Sequence, residues 1–269
     1  MANEAERQRW SDPGQVANWH KRERFTSRVT PYVLAAAHPQ PGERVLEIGP
    51  GTGTLGLEVA RIIGPHGRLT GADISEGMAR LAAQRARETG AKNATFTVAD
   101  VQTASPPGGP FDLVVAQFSL MFFDEPLAAF TNIRRQLKPG GRIAFACWQE
   151  ARRNLWHAGA PLAPFVPRPA PPPPGKARTG PFSLGDSLAT RKLLAAAGFV
   201  AIHRARRSLV VNVPADSIAD EQQIHFMGIP EELHAAAREA YARHYAQFRR
   251  PDGLSRFELH FQVFTARNP

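Results

Sequence analysis

Cysteine is almost absent from this 269-residue chain: Cys147 stands alone, which rules out an internal disulfide and any thiolate metal cluster. It sits in the apolar run IAFACW, so a buried, inert thiol is expected there rather than a nucleophile. Long apolar stretches are missing too. None reaches the ~18 residues that a membrane-spanning helix needs. The opening MANEAERQRW carries no apolar segment behind its charges, so no secretory signal is expected and the chain reads as cytoplasmic. Metal-ligand spacing is also lacking: His20, His157, His203 and His225 form no HxH or HExxH pair, and no metal is expected.

Acidic residues are in deficit, 24 against 33 lysines and arginines, for a net charge of +9 and a pI of about 10.5. Such a balance raises nucleic acid as a partner. The arginines, however, are spread through helical stretches such as RLAAQRARE and RKLLAAAG, where they alternate with alanine. No basic patch interleaved with aromatics, zinc knuckle, RNP-like strand or homeodomain-like helix accompanies them. Nucleic acid is therefore not the expected partner; a small-molecule substrate is, with the chain acting as a monomer or homodimer.

What the chain does have is glycine in one telling place. Residues 43–56, ERVLEIGPGTGTLG, read as a buried strand breaking into a glycine-rich turn and then a helix. Gly49, Gly51 and Gly53 let the backbone bend tightly and approach a ligand, and the helix start offers unpaired N–H groups. A second strand, RLTGAD, ends at Asp73, where a carboxylate can accept both hydroxyls of a ribose. An adenosine-bearing ligand across the carboxyl ends of adjacent parallel strands satisfies both features. The spacing G-x-G-x-G with Glu47 upstream favours a cation over a pyrophosphate, because an anion would repel the latter. Local charge thus favours S-adenosylmethionine over NAD.

The stretches VLEIGPGTG, Asp73, Asp100, FDLVVAQFSLMFF and LKPGGRIAF resemble the successive motifs of class I S-adenosylmethionine-dependent methyltransferases, over roughly residues 20–150. Within that family the chain is most similar to the small-molecule type that continues with CWQ, a proline-rich insertion and a segment like GPFSLGDSLATRKLLAAAGF. The resemblance implies S-adenosylmethionine as cofactor, S-adenosylhomocysteine as its product, and a last strand inserted antiparallel beside strand 199–211. The expected fold is α/β: a Rossmann-like, open, seven-stranded and mostly parallel sheet with an antiparallel last strand and helical cap elements.

The alternation of elements supports that architecture. Residues 1–40 read as a lid of two short helices, 41–150 as the cofactor-binding core, 151–185 as a proline-rich active-site loop, and 186–269 as the rest of the sheet with a helical insertion at 215–249. Within the core, strands are expected at 44–48, 68–72, 94–98, 111–117 and 142–148, with Lys138–Gly141 as a turn; the last strand is expected at 256–265.

Role assignments follow position along these motifs. Gly49, Gly51 and Gly53 would wrap the methionine half of the cofactor, with Glu47 acting on its amino group. Asp73 would hold the ribose, Ile74 lie beneath the adenine, Asp100 and Val101 meet the adenine edge, and Gln117 lie under the sulfonium. Trp19, Phe25, Phe118, Met121, Phe122 and His225 are candidates for the acceptor pocket. His20, Tyr32 and His157 are the candidate general bases. The family at times carries an asparagine-proline-proline-tyrosine motif where this chain has AQFSLMFF, which favours an apolar or aromatic acceptor. An RNA methyltransferase, a NAD-dependent oxidoreductase and a noncatalytic binding protein share parts of the pattern.

Overall fold

A computed structural model describes residues 3–167, 171–214, 224 and 227–269, leaving aside the side chains at 15, 18, 20–22 and 24. By its internal packing the chain divides into two compact units. The first holds Met1–Gln149, Pro173–Arg206 and Phe261–Pro269; the second holds Glu150–Pro172 and Arg207–His260.

The described residues form an open sheet of seven strands. β1 (Arg44–Ile48), β2 (Arg68–Asp73), β3 (Ala94–Val98), β4 (Phe111–Gln117) and β5 (Leu137–Trp148) pair in parallel in the order β3-β2-β1-β4-β5. The near-continuous apolar sequence of β4, FDLVVAQ, fits a strand covered on both faces, and its Leu113 to Ala116 are fully buried. β6 (Val200–Pro214) is the edge strand, and β7 (Leu254–Arg267) inserts between it and β5, antiparallel to β5.

Helices cover the sheet where their apolar stripes allow. α4 (Thr54–Ile63) buries Leu55, Val59, Ala60 and Ile63, a helical spacing that faces one side. α5 (Glu76–Glu88) starts at Ser75, whose Oγ accepts from Met78 N at 3.3 Å, and Gly90 follows its end at φ +71°. α6 (Pro126–Gln136) leads into β5. α8 (Ser187–Ala196) is capped by Asp186, which accepts from the amides of Leu188 and Ala189. The strand order reverses between β1 and β4, so a crevice opens at their carboxyl ends.

Two local expectations are corrected. The described residues 3–38 hold three α-helices rather than two: α1 (Glu4–Ser11), α2 (Pro13–Thr26) and α3 (Thr30–Ala37), with Pro31 in the first turn of α3. Lys138–Gly141 is not a free turn before β5 but an irregularity inside it. Phe111 pairs with Leu137 and Leu113 with Arg142, while Asn268 bonds the backbone of Leu137, Lys138, Gly140 and Gly141.

The second unit has its own aromatic core. α7 (Gly159–Leu162) packs with the helix His234–Ala246, here α9. Tyr245 donates its hydroxyl to Trp156 O, and its ring meets Tyr241, Phe248 and Phe257. Burial raises the Tyr245 phenol above its usual range. Asn154 and His260 exchange hydrogen bonds at 3.0 and 2.9 Å. The candidate His225 lies outside the described residues. No described helix is long and apolar enough to cross a membrane.

Candidate active site

The turn after β1 is shaped by backbone conformations that side chains resist. Gly49, Gly51 and Gly53 have φ of +64°, +56° and +86°. A Cβ on Gly49 would lie 2.4 Å from Ser119 Cβ, and one on Gly51 2.9 Å from Trp19 Nε1, whereas Gly53 has room and needs glycine only for its φ. G49A is thus expected to cut cofactor affinity well over tenfold, because Ser119 must move and its 2.6 Å hydrogen bond to Ile48 O with it. G53A carries only the left-handed strain of about 1–2 kcal/mol. Calorimetry with S-adenosylhomocysteine separates the two, and equal losses would refute the packing argument.

The carboxylates around this turn are buried and tied to backbone. Asp73, at the end of β2, accepts from Gly51 N at 3.1 Å on one oxygen and from Ser75 N at 2.9 Å on the other. Burial pushes its pKa up to about 6, against the lowering effect of those amides and that of Ile74. Each oxygen keeps a further lone pair for a ligand hydroxyl. Glu47 is 2% exposed, and its Oε2 has no hydrogen-bond partner. A Cβ on Gly56 would meet that atom at 2.1 Å, so Gly56 lets the first turn of α4 rest on the carboxyl group. Burial, followed by the nearby charge of Asp73, pushes Glu47 up to about 8. Asp100 Oδ1 accepts from Gln102 N at 3.0 Å and from Asn3 Nδ2 at 3.1 Å.

These residues frame a pocket that holds about 700 Å³ of space free of atoms, its open mouth included. Gly49, Gly51, Asp73, Ile74, Asp100, Val101 and Gln117 line it, with Trp10, Trp19, Phe118, Phe122 and Phe123. Glu47 and Gly53 do not; they support the turn from behind. Gln117 is held by Thr30 Oγ1, which donates to its Oε1, and by Thr26 O, which accepts from its Nε2. Among the described lining residues there are three carboxylates, Glu6, Asp73 and Asp100, and no lysine or arginine. In a chain of net charge +9 that is a selective placement of negative charge.

The amino-terminal helices close one side of the pocket. Asn3, at φ +51°, bridges Asp100 and Asp124 N, and Glu6 accepts from Trp10 Nε1 and Thr179 Oγ1. From α2, Glu23 accepts from the hydroxyls of Thr52 in the glycine turn and Thr54 at the start of α4, and from Arg85 of α5. Asp124 is held below the usual carboxylate range: its partial burial is outweighed by hydrogen bonds from Lys176 and Gln102.

Sequence reasoning missed Asn3, Glu6, Ser119, Glu23 and Gly56. Only Gly56 carries a local signal, a glycine inside a helix. Of the candidate bases, Tyr32 does not line the pocket. Tyr32 sits on α3 with its ring edge-on to Phe261 at 5.2 Å. His157 belongs to the second unit, where burial lowers its pKa to about 4 and Gly159 N donates to its Nδ1. The side chain of His20 is outside the description, and Phe25 and Met121 do not line the pocket.

Comparison with known proteins bears on this geometry. Residues 45–141 match the family model described as a methyltransferase domain. Over those residues the chain resembles a class I S-adenosylmethionine-dependent methyltransferase domain. It is 29% identical over 199 residues to nocamycin O-methyltransferase of Saccharothrix syringae, covering 71% of each chain. It is 38% identical over 109 residues to aklanonic acid methyltransferase DauC of Streptomyces sp. strain C5, covering 40% of this chain and 50% of that one. The chain thus spans about half the length of most of the curated relatives it matches. Among solved structures, the [4+2]-cyclase SpnF matches at a TM-score of 0.55 and 24% identity, covering 90% of this chain and 81% of SpnF, a likeness of fold.

The residues present fit the methyltransferase cofactor, S-adenosylmethionine. The glycine cradle admits it closely, Asp73 offers acceptors to a ribose, and the acidic lining suits an ammonium and a sulfonium where it would oppose a pyrophosphate. Among the described residues no group of three or more His, Cys, Asp or Glu side chains is arranged to hold a metal ion.

Proposed function

We propose that the chain transfers a methyl group from S-adenosylmethionine to an enclosed small-molecule acceptor of apolar or aromatic character. One observation carries the reading: the described lining of the pocket combines three carboxylates and no lysine or arginine with the aromatic side chains Trp10, Trp19, Phe118, Phe122 and Phe123. The relatives point the same way, since two of them are named for methylating small molecules.

The cofactor supplies a methyl group already activated by its sulfonium. What remains for the protein is orientation and exclusion of water, worth several kcal/mol when reacting atoms are held in line. In this reading Asp73 fixes the ribose, Asp100 and Val101 meet the adenine edge, and Ile74 packs under the ring. Gln117, immobilised by Thr26 and Thr30, sets the reacting end. Glu47 exerts its charge from beneath the turn. Trp10 and Trp19 keep water from the site, and Phe118 and Phe122 contact the acceptor. None of these roles requires a base, in keeping with an acceptor whose nucleophile is already ionised or weakly protonated at neutral pH.

The test is methyl transfer from labelled S-adenosylmethionine to a metabolite extract and to total RNA, each at about 50 and 200 mM salt. Charge-driven RNA binding weakens steeply over that range as counterions are released. Labelling confined to the metabolite fraction is expected. Salt-tolerant labelling of RNA alone would overturn the small-molecule reading; consumption of a metabolite with no label transferred would replace methyl transfer by another reaction on the same fold. Binding of NADH with no response to S-adenosylmethionine would refute the cofactor assignment.

A further inference from the structure

We propose that Phe118, backed by Trp148, selects the acceptor, and that what it selects is a planar conjugated ring. This rests on the methyl-transfer reading of the same pocket. Phe118 directly follows β4 and stands at φ +57°, left-handed backbone that a bulky aromatic residue rarely adopts. Its ring lies on that of Trp148, the last residue of β5, with centroids 3.8 Å apart and planes 10° from parallel. Centroids this close hold the two ring faces in full van der Waals contact. A strained backbone and a close ring stack therefore coincide at one residue, and backbone strain is maintained where the surroundings enforce it at a working site.

The surroundings do enforce it. Phe118 N donates to Ala146 O at 2.9 Å, so the strand pairing runs through the strained residue. On one side Gln117 is pinned by Thr26 and Thr30; on the other Ser119 Oγ bonds Ile48 O. Trp148 is paired across the sheet with Phe261, whose ring is buttressed by Tyr32. Phe118 is only 8% exposed and Trp148 6%, and Phe118 lines the pocket while Trp148 stands behind it. The result is a rigid, doubled aromatic surface immediately after Gln117. A flat ring gains dispersion and quadrupole contact against such a surface. A saturated ring of the same size gains only the area it buries.

The experiment compares 2-naphthol with decahydro-2-naphthol as probes, by calorimetry on protein saturated with S-adenosylhomocysteine. The aromatic probe is expected to bind about five- to tenfold more tightly. F118L keeps an apolar side chain on the same strained backbone, and there the preference should vanish while affinity for S-adenosylhomocysteine stays within about threefold of the parent. F118Y should restore the preference, which a merely structural role for the position would not predict. W148L should weaken it, and if that variant does not fold the F118L and F118Y pair decides alone. Equal binding of the two probes, binding of neither at millimolar concentration, or a preference that survives F118L would overturn the proposal. Should the parent protein fail to bind S-adenosylhomocysteine at all, the methyl-transfer reading fails first, and this inference with it.

Discussion

Replacing Asp73 by asparagine is expected to weaken binding of S-adenosylmethionine and S-adenosylhomocysteine at least tenfold while leaving the melting temperature within a few degrees of the parent. The two effects separate because the carboxylate is poorly placed for stability and well placed for a ligand. Burial lifts its pKa to about 6, so the ionised form at neutral pH is less comfortable in the fold than in the unfolded chain. Asparagine removes that penalty and keeps one acceptor, but turns an NH2 group toward the amide of Gly51 or Ser75; the gain and the loss roughly offset. For the ligand there is no offset. Ribose hydroxyls lose a charged acceptor, worth about 1.5–3 kcal/mol, and Gly51 loses part of the contact that fixes the turn. Isothermal titration and a thermal melt on the same preparation give both numbers. Unchanged affinity in folded D73N would place the ribose elsewhere.

The parts of this site that were legible in the sequence are those whose chemistry is local. A glycine triplet after an apolar strand announces positive φ, and all three glycines have it, because the backbone demand is met by the residue itself. Asp73 and Asp100 could be placed because each closes or follows a strand whose period and burial are readable. The alternation of elements likewise makes an open α/β sheet legible, since crossover connections leave few topologies open.

What was not legible depends on residues far apart in the chain. Nothing near position 3 signals that Asn3 will bond Asp100, nor that Glu23 will gather Thr52, Thr54 and Arg85. Those contacts exist only once α1 and α2 lie over the turn. The Phe118–Trp148 stack required knowing that the ends of β4 and β5 are neighbours and that the backbone at Phe118 is left-handed, which a phenylalanine does not advertise. Lys-Pro-Gly-Gly reads locally as a turn; Asn268, at the other end of the chain, holds it within β5.

Glu47 offers the second large effect, in stability as a function of pH. In the unfolded chain this carboxyl group titrates near 4.5; folded, burial and the proximity of Asp73 and Glu23 raise it to about 8. Between those values the folded state binds a proton that the unfolded state has released, so the stability contributed is fully present below pH 4.5 and is lost as pH rises through 8. Asp73 adds the same sign over its lower window, between 3.8 and about 6. The ligand-free protein is therefore expected to lose stability from about pH 4 to 8, by about 1.4 kcal/mol per pH unit between about 6 and 8, where Glu47 alone carries the difference. E47Q keeps the shape of the neutral acid without its proton equilibrium, and should flatten the curve. At pH 8.5 it should melt above the parent by several degrees, at about 2–4 °C per kcal/mol for a chain of this size. A cationic ligand reverses the preference by favouring the ionised carboxylate. Binding of S-adenosylmethionine near pH 7.5 should then release protons, seen as different apparent enthalpies in phosphate and Tris for the parent and coincident ones for E47Q. A parent melting curve that is flat or rising between pH 6 and 9 would mean that Glu47 ionises at its ordinary value, and that the unpartnered Oε2 beneath the turn is stabilised by something other than a proton.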